Sequence, residues 1–378
     1  MFSIIQFALK YIARFNYLVA KLEKLFRPLH NNTTIQNMQL EIIKPDDWHL
    51  HLRDSPMLSK VVPHSARQFK RALIMPNLLP PVTTVKDAIS YRQRIISQQD
   101  NDFEPYMTLY LTDNTKLDEV KQTADSPFIL SFKLYPAGAT TNSDSGVTDV
   151  KNIMPVLESM AQNGVTLCIH GEDTNPDVDT FDRESSFIKN ILSFIHNEIP
   201  ELKITLEHIS TKDGIEFVES SNKNVAGSIT CHHLMDNRNA MFKGGLRPHN
   251  YCLPVLKREE HRLQIVRAAT SGNPKFFAGT DSAPHAKDKK EAACGCAGVY
   301  TAHAAVELYT EIFDQEGKLD MLERFLSING AKFYGLEPNT QTIKINKQSW
   351  QVPDEYFTED LKVVPYRAGE TLSWKMSD

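Results

Sequence analysis

The sequence of 378 residues has no apolar run of the roughly 18–20 residues that a helix needs to cross a bilayer. Its cysteines are few, odd in number and scattered, which argues against a secreted disulfide framework and indicates a reducing compartment. No basic block lies in the body of the chain and the net charge is −5, which argues against nucleic acid as the main partner. We therefore expect a cytoplasmic globular protein without a membrane span.

Residues 1–38 differ in pattern from the rest of the chain. Apolar residues recur there at helical spacing and basic residues gather to one side, until Pro28 and a polar run break the pattern. Three interpretations are open: an amphipathic helix for organelle targeting or a membrane surface, an appended helix that packs on the main domain, or a start codon assigned too early, since Met38 directly precedes the first predicted strand. We therefore divide the chain into an N-terminal amphipathic extension, 1–38, and a main domain, 39–378.

The main domain alternates short apolar segments with longer amphipathic ones in eight rounds. This alternation predicts parallel strands joined by helices, and eight rounds predict a closed (β/α)8 barrel of the TIM type, in the α/β class, rather than an open sheet. Beyond about residue 337 no clear helix or strand series follows, and we expect this tail to wrap the barrel. The eight predicted strands cover residues 40–50, 71–76, 106–112, 129–135, 165–170, 203–208, 225–231 and 275–280.

Polar side chains stand at or near the ends of most of these strands. Barrels of this type place their chemistry at the carboxyl ends of the strands. We therefore expect a single polar site at that face. The side chains that this register brings to it are His49, His51, Asn77, Lys133, His170, His208 and Asp281.

His49 and His51 stand two apart in the extended segment HLHL, so both imidazoles point to one face of the strand, and Arg53 follows on that face. A single buried histidine is commonly a hydrogen-bonded core residue, but two side by side are costly to bury without a shared partner. Because neutral imidazole is the commonest metal ligand, we interpret the pair as ligands. With His170 and His208 they bring four imidazoles to one mouth, which favours zinc, with iron, cobalt or manganese as alternatives.

Asp281 directly follows a predicted strand in the segment GTDSAPH. It is either a helix N-cap or a ligand and base, and His285 four residues later favours the functional interpretation because it adds a polar group at the same rim. The fork of Arg53 matches the two oxygens of a substrate carboxylate, and Asn77 and His285 could share that task. The alternative for Arg53 is a salt bridge with Asp54 or another acid at the rim.

Lys133 is the least expected polar residue, because it lies between Phe132 and Leu134 on a strand that faces the barrel interior. A buried lysine must lose its charge or find a partner. A neutral amine could add carbon dioxide to form an anionic carbamate that bridges two metal ions. The other interpretation is a lysine that reaches the rim or pairs with Asp281.

Several motifs resemble those of the dihydroorotases of the single-function bacterial type, within the amidohydrolase superfamily. The resemblance covers roughly residues 39–378. The HxH pair recurs in many amidohydrolases, whereas GTDSAPH together with CGCAG and GETLSW is more specific. The matching segments are KPDDWHLHLRD, MPNLLPPVTT, FKLYPAGATTNS, HGE, LEHIS, ITCHHLMDNRN, GGLRPHNYCLP, GTDSAPH, KKEAACGCAG, FYGL and GETLSW.

The resemblance implies two zinc ions per subunit and a bridging carboxylated lysine. The metal ligands that it implies are His49, His51 and Asp281 for one ion, His170 and His208 for the other, and Lys133, as N6-carboxylysine, for both. The substrate-binding residues that it implies are Arg53, Asn77 and His285 for a carboxylate, the backbone at Leu253 and Ala297 for a pyrimidine ring or its open form, and Thr140 and Thr141 on a closing loop.

The activity that the resemblance implies is the reversible cyclisation of N-carbamoyl-L-aspartate to (S)-dihydroorotate and water in pyrimidine synthesis. Asp281 would serve as general base and then general acid, and a homodimer is the expected assembly. One alternative is another cyclic amide hydrolase, such as a hydantoinase or an allantoinase, whose neutral ring needs no carboxylate clamp. The other is an inactive homologue that serves as a scaffold, but such a protein should have lost metal ligands, and all of them are present.

Overall fold

The computed structural model describes residues 38–99, 102–357 and 361–377, so the predicted extension lies outside the described residues except for Met38. A first strand, β1 (Gln39–Ile43), precedes a parallel sheet of eight strands in chain order. The strands of this sheet are β2 (Asp46–Leu50), β3 (Arg71–Ile74), β4 (Glu104–Tyr110), β5 (Ile129–Leu134), β6 (Thr166–Ile169), β7 (Ile204–Leu206), β8 (Val225–Ile229) and β9 (Phe276–Ala278).

Backbone hydrogen bonds join the two edge strands of this sheet just beyond their carboxyl ends. The Asp281 amide donates to the His49 carbonyl at 2.9 Å, and the His51 amide donates to the Ser282 carbonyl at 3.2 Å. A parallel bridge between Leu50 and Ser282 lies in the same seam. The sheet therefore closes on itself, which confirms the predicted (β/α)8 barrel.

The prediction of one strand over 40–50 is wrong, because the segment divides at Pro45 into β1 and β2. Proline has no N–H to donate to a ladder, so pairing stops there. β1 instead pairs antiparallel with β10 in a separate small sheet, and the tail beyond residue 337, in which no clear strand series was predicted, supplies two of the three strands of that sheet. The strands of the tail are β10 (Thr342–Asn346), β11 (Trp350–Gln351), β12 (Thr371–Leu372) and β13 (Lys375–Met376).

Helices follow the strands, and several begin at a side-chain cap that the sequence supplies. Asp54 accepts from the Ser55 amide at 2.8 Å, and Thr84 accepts from the Asp87 amide at 3.2 Å, which satisfies backbone donors in the first turn. No helix within the described ranges combines the length and apolarity that a membrane span requires. The helices are α1 (Ser55–Gln68), α2 (Val85–Ile96), α3 (Leu117–Ala124), α4 (Met154–Gln162), α5 (Arg183–Phe187), α6 (Ser193–Glu198), α7 (Lys212–Ser220), α8 (Cys231–Met235), α9 (Glu259–Thr270), α10 (Lys287–Lys290), α11 (Ala305–Gln315), α12 (Leu319–Glu323) and α13 (Asn329–Phe333).

Shorter helical turns complete the connections, two of them π-helical and continuous with the α-helices on either side. They are Val150–Ile153, Ile188–Leu192, Arg238–Met241, Pro248–Asn250 and Arg324–Ile328.

The barrel interior is closed below the predicted site by an apolar cluster, here named the barrel floor. Trp48 stacks on Tyr334 with ring centroids 4.6 Å apart and planes at 12°. The Tyr334 hydroxyl lies 2.9 Å from the Thr205 hydroxyl and 3.3 Å from the Cys168 thiol, so the polar end of the ring is satisfied. The floor consists of Trp48, Leu73, Met75, Cys168, Ala226, Phe277, Ala331 and Tyr334, all buried.

Candidate active site at the carboxyl ends of the strands

Eleven of the thirteen predicted site residues line one cavity at the carboxyl face of the barrel. The other two, Lys133 and His285, lie against this lining: the Lys133 ammonium is 4.8 Å from the ring centroid of Tyr135, and His285 contacts Arg53. The lining residues are His49, His51, Arg53, Asn77, Tyr135, Thr140, Thr141, His170, His208, Leu253, Asp281, Ala283, Ala297 and Gly298. The predicted residues therefore lie together, and the lining also includes Tyr135, Ala283 and Gly298, which were not among them.

Three buried ligand-type atoms converge at the barrel seam. The Nε2 atoms of His49 and His51 are 3.2 Å apart, and they lie 3.3 Å and 3.1 Å from Oδ1 of Asp281. Tetrahedral ligands about 2.0–2.1 Å from a zinc ion stand about 3.3 Å from one another, so this triangle has the size of a ligand set. The Asp281 carboxylate contacts these two imidazoles and does not cap a helix, so the N-cap interpretation is wrong.

The backbone at three of these positions adopts an unusual conformation. Arg53, His208 and Asp281 have φ angles of 59°, 43° and 45°, in the left-handed region that residues other than glycine seldom occupy. Each such residue costs on the order of 1–3 kcal/mol, and strain of this kind concentrates at functional sites. All three lie just beyond a barrel strand, at the point where the chain turns its side chains into the cavity.

His170 and His208 form the second histidine pair. Their ring centroids are 4.8 Å apart, and the ring of His208 lies 5.0 Å from that of His49. Burial, with added repulsion from His170 and Lys133, lowers the pKa of His208 well below its usual value, so the ring is neutral. The Nε2 atom of His170 lies 2.7 Å from Oε2 of Glu172. The neutral ring of His208, with His170 at this spacing, is suited to bind a metal ion.

Lys133 is completely buried beneath the cavity and donates a hydrogen bond to Glu207. The alternatives of a lysine at the rim or paired with Asp281 are therefore wrong for this structure. Glu207 also places Oε1 3.0 Å from Nδ1 of His49, so one carboxylate connects two predicted ligands. Glu207 was not among the predicted site residues, although an acid between Leu206 and His208 in an apolar strand was a signal.

Two buried carboxylates, those of Glu207 and Asp281, lie next to His49. Burial and the nearby charge of Lys133 lower the pKa of His49. The carboxylates of Glu207 and Asp281 outweigh these effects and raise the pKa to about 9. Burial would raise the pKa of Glu207, but His49 and Lys133 lower it to about 2. The site therefore stabilises a positive charge at the position of the imidazole proton, and a metal ion would supply that charge in its place.

The donor set fits a metal ion by this chemistry as well as by its spacing. Within the described residues, Nδ1 of His208 is buried without a hydrogen-bond partner. Buried polar atoms usually have a partner, so this atom indicates a missing ligand. Imidazole nitrogens with carboxylate oxygens favour zinc among common divalent ions.

Arg53 faces the same cavity and is held from behind by its neighbours. Its Nε donates to the Pro284 carbonyl at 3.1 Å, and Nη2 lies 2.9 Å from Nε2 of His285. Burial and the nearby charge of Arg53 lower the pKa of His285 to about 2, so this ring is neutral. Its Nε2 also lies 3.0 Å from the Ala297 carbonyl oxygen, so the tautomer decides whether Nε2 accepts from the guanidinium or donates to that carbonyl. The proposed partner of Arg53, Asp54, instead pairs with Arg94 at 2.7 Å, which leaves Arg53 for the cavity.

Residues 42–363 match the model of the amidohydrolase family. The chain belongs to the amidohydrolase family. It is 56% identical to a dihydroorotase of Aromatoleum aromaticum over 340 residues, which cover 89% of this chain and 99% of that protein. It is 57% identical to a dihydroorotase of Aliivibrio fischeri over 336 residues, which cover 89% of this chain and 98% of that protein.

Solved structures agree with this membership. A dihydroorotase from Campylobacter jejuni superposes with a TM-score of 0.84 at 36% identity, covering 92% of this chain and all of that one. The amidohydrolase fold is also shared with an L-hydantoinase from Arthrobacter aurescens, with a TM-score of 0.75 over 89% of this chain and 82% of that one, but at 14% identity. That likeness shows the fold alone, so the hydantoinase alternative is not favoured.

Proposed function

We propose that this amidohydrolase is a dihydroorotase, which interconverts N-carbamoyl-L-aspartate and (S)-dihydroorotate plus water in pyrimidine synthesis. The observation that carries the proposal is the opening of the Arg53 guanidinium and the His49–His51–Asp281 cluster into one cavity. A carboxylate held by the first would bring the ring amide of the same molecule toward the second. The identity of 56–57% to proteins named dihydroorotase over nearly their whole length supports it.

We further propose that the site holds two zinc ions. His49, His51 and Asp281 would hold one, and His170 and His208 the other. When bound, the ions would supply Lewis-acid chemistry, drawing charge from the amide carbonyl and making water acidic enough to lose a proton near neutral pH.

Asp281 is the proposed proton carrier. Ring opening forms a bond from water oxygen to the amide carbon and breaks the bond from that carbon to the ring nitrogen. The Asp281 carboxylate would take the proton from the water and give it to the departing nitrogen. Its pKa lies well below the usual value, because His49 and His51 outweigh the effect of burial, so the base is ionised at the start. Cyclisation runs the same steps in reverse.

Arg53 and its neighbours are the residues proposed to orient the substrate. The guanidinium of Arg53 would bind the carboxylate in two-pronged fashion, with Asn77 and the neutral ring of His285 as further donors. Thr140 and Thr141 lie over the same cavity, and the Asn77 amide already donates to the Thr141 carbonyl at 3.3 Å. We propose that this loop closes on bound substrate and excludes water.

Lys133, carboxylated on Nζ, would be a further ligand for the two ions. Carboxylation joins Nζ to the carbon of carbon dioxide and releases two protons to solvent, so a buried cation becomes an anion. The ion pair with Glu207 would then have to be given up, and two bound cations would compensate for the added negative charge. The group would form only with metal present. This coupling predicts that metal loading depends on carbon dioxide and that Lys133→Ala loses both zinc and turnover.

The test is to assay the purified full chain with dihydroorotate, before and after chelation, while counting metals per chain. We expect turnover with about two zinc ions and loss on chelation, restored by zinc. Hydantoin is the control substrate, because it has no carboxylate for Arg53. An active wild type that holds no metal, or Lys133→Ala with full activity, would contradict the metal proposal. Turnover of hydantoin alone would contradict the dihydroorotase proposal.

Three further expectations stay proposals. We propose a homodimer, as the family resemblance implies, and a cytoplasmic location. Light scattering of the purified protein tests the first, and fractionation tests the second. Mass analysis of the mature N-terminus in the native cell would distinguish the three interpretations of residues 1–38.

A further inference from the structure

Lys290 is a buried cation that no part of the reaction described above uses. It ends the short helix α10, and only 4% of its surface is exposed, whereas the side chain of its neighbour Lys289 is 67% exposed. Within the described parts of the chain it makes no ion pair. A buried ammonium without a carboxylate is costly unless other oxygens satisfy it. Its partners therefore indicate what it does.

Both partners of Lys290 are backbone carbonyls, and they belong to separate loops. The ammonium donates to the Tyr251 carbonyl at 2.9 Å and to the Gly298 carbonyl at 2.6 Å. The Gly298 amide also donates to the Tyr251 carbonyl at 3.0 Å. Three hydrogen bonds thus join the two loops at one point, and two of them depend on the lysine.

These two loops carry the backbone positions assigned to the substrate ring. Leu253 lies two residues beyond Tyr251, and Ala297 directly precedes Gly298; all but Tyr251 line the cavity. The carbonyl of Ala297 also lies 3.0 Å from Nε2 of His285, the neighbour of Arg53. The position of the second loop therefore bears on both the ring pocket and the carboxylate clamp.

Gly298 shows how closely this loop is packed. Its φ is +146°, a conformation that favours glycine. A Cβ there would lie 2.6 Å from the Ala283 carbonyl oxygen and 3.0 Å from Cδ2 of His285, both too close. The backbone at Gly298 thus packs closely against Ala283 and His285, so a small displacement of the loop would shift these residues.

We propose that Lys290 is a positioning residue that clamps the Tyr251 and Gly298 loops together and so sets the width of the substrate-ring pocket. The inference rests on the proposed dihydroorotase function. Lys290 itself does not touch substrate. Because it fixes groups that hold the ring before and during reaction alike, its loss should weaken binding of substrate more than it slows the chemical step.

The experiment compares Lys290→Met, which keeps the side-chain volume but cannot donate, with Lys290→Arg, which keeps charge and donors. Steady-state kinetics are measured in both directions, with zinc content and thermal unfolding as checks on the fold. For Lys290→Met we expect KM to rise roughly tenfold and kcat to fall less than about threefold. Lys290→Arg should recover part of the loss in KM, and Lys289→Met, the matched surface control, should behave as wild type.

A folded Lys290→Met enzyme with KM within twofold of wild type would overturn the inference, as would a fall in kcat with KM unchanged. If Lys290→Met does not fold, Lys290→Gln, which keeps one donor, is measured for the same split. Failure of both variants to fold would show a purely structural residue and also overturn the proposal. A wild type that does not turn over dihydroorotate would instead refute the proposed function, so the two failures are distinguishable.

Discussion

The two ends of the barrel interior differ in almost every physical respect. The barrel floor is apolar and stacked, and its one unpartnered polar atom among those described is the indole Nε1 of Trp48, whereas the mouth gathers histidines, carboxylates and a guanidinium, several of them without partners. Backbone strain follows the same division, since Arg53, His208 and Asp281 adopt left-handed φ angles at the mouth. The same strands thus supply stability at one end and reactivity at the other, and substitutions at the two ends should separate these properties.

The largest effect is expected at the mouth, from Asp281→Asn. The amide cannot carry the proton between water and the leaving nitrogen, so kcat should fall by about 10³-fold or more. Stability should change little or rise, because a strained and charged position becomes neutral. The measurement is kcat for dihydroorotate together with the free energy of unfolding. Asp54→Asn, at an exposed acid outside the cavity, is the control, and more than a tenth of wild-type activity in Asp281→Asn would contradict the assigned role.

Arg53→Met should follow, with a loss of about 10²-fold in kcat/KM for dihydroorotate, because the substrate loses its carboxylate partner and its orientation. Zinc content should stay the same, since Arg53 is not among the proposed ligands. Arg94→Met removes an exposed arginine that pairs with Asp54, and it serves as the matched control. An equal loss of zinc in Arg53→Met would show that the residue supports the metal site rather than the substrate.

Glu207 lies between the barrel floor and the mouth. The variant Glu207→Gln tests to which of the two this residue belongs. It keeps the shape of the side chain but removes the charge next to His49 and Lys133. Loss of such a supporting group commonly lowers metal affinity by about 10–100-fold. We expect zinc to be lost to a chelator at correspondingly lower chelator concentration, and excess zinc to restore turnover. Glu291→Gln on the surface should show neither effect. Unchanged zinc affinity would show that Glu207 supports the fold, as the floor residues do, and not the metal site.

The smallest effect is expected at the floor, from Tyr334→Phe. The ring stacking on Trp48 remains, but the hydroxyl contacts with Thr205 and Cys168 are lost, so the free energy of unfolding should fall by about 1–2 kcal/mol. Activity and zinc content per folded chain should not change. Denaturant unfolding and a kinetic assay provide the two readings. A fall in kcat larger than threefold would show that the floor and the mouth are coupled.

The sequence predicted the barrel and the polar residues at its strand ends because both depend on local patterns, whereas Thr140, Thr141, Leu253 and Ala297 were named only from the family resemblance. Strand ends can be read from apolar runs, and the barrel topology brings those ends together. The sequence pattern did not reveal the break at Pro45, because one extended segment was assigned across the polar run KPDD at 44–47, where the missing N–H of proline stops the pairing. It also missed Glu207 and Lys290, whose roles come from contacts with residues far away in the chain.

The seam of the barrel and the proposed metal cluster are the same place, because the Asp281 amide binds the carbonyl of His49. The first and last strands therefore cannot part without pulling the ligand triangle open. A nascent chain emerging from the ribosome would carry its histidines long before Asp281 arrives to complete the triangle. The newly synthesised chain should therefore be inactive, and it should become able to bind the metal ion only when the barrel closes.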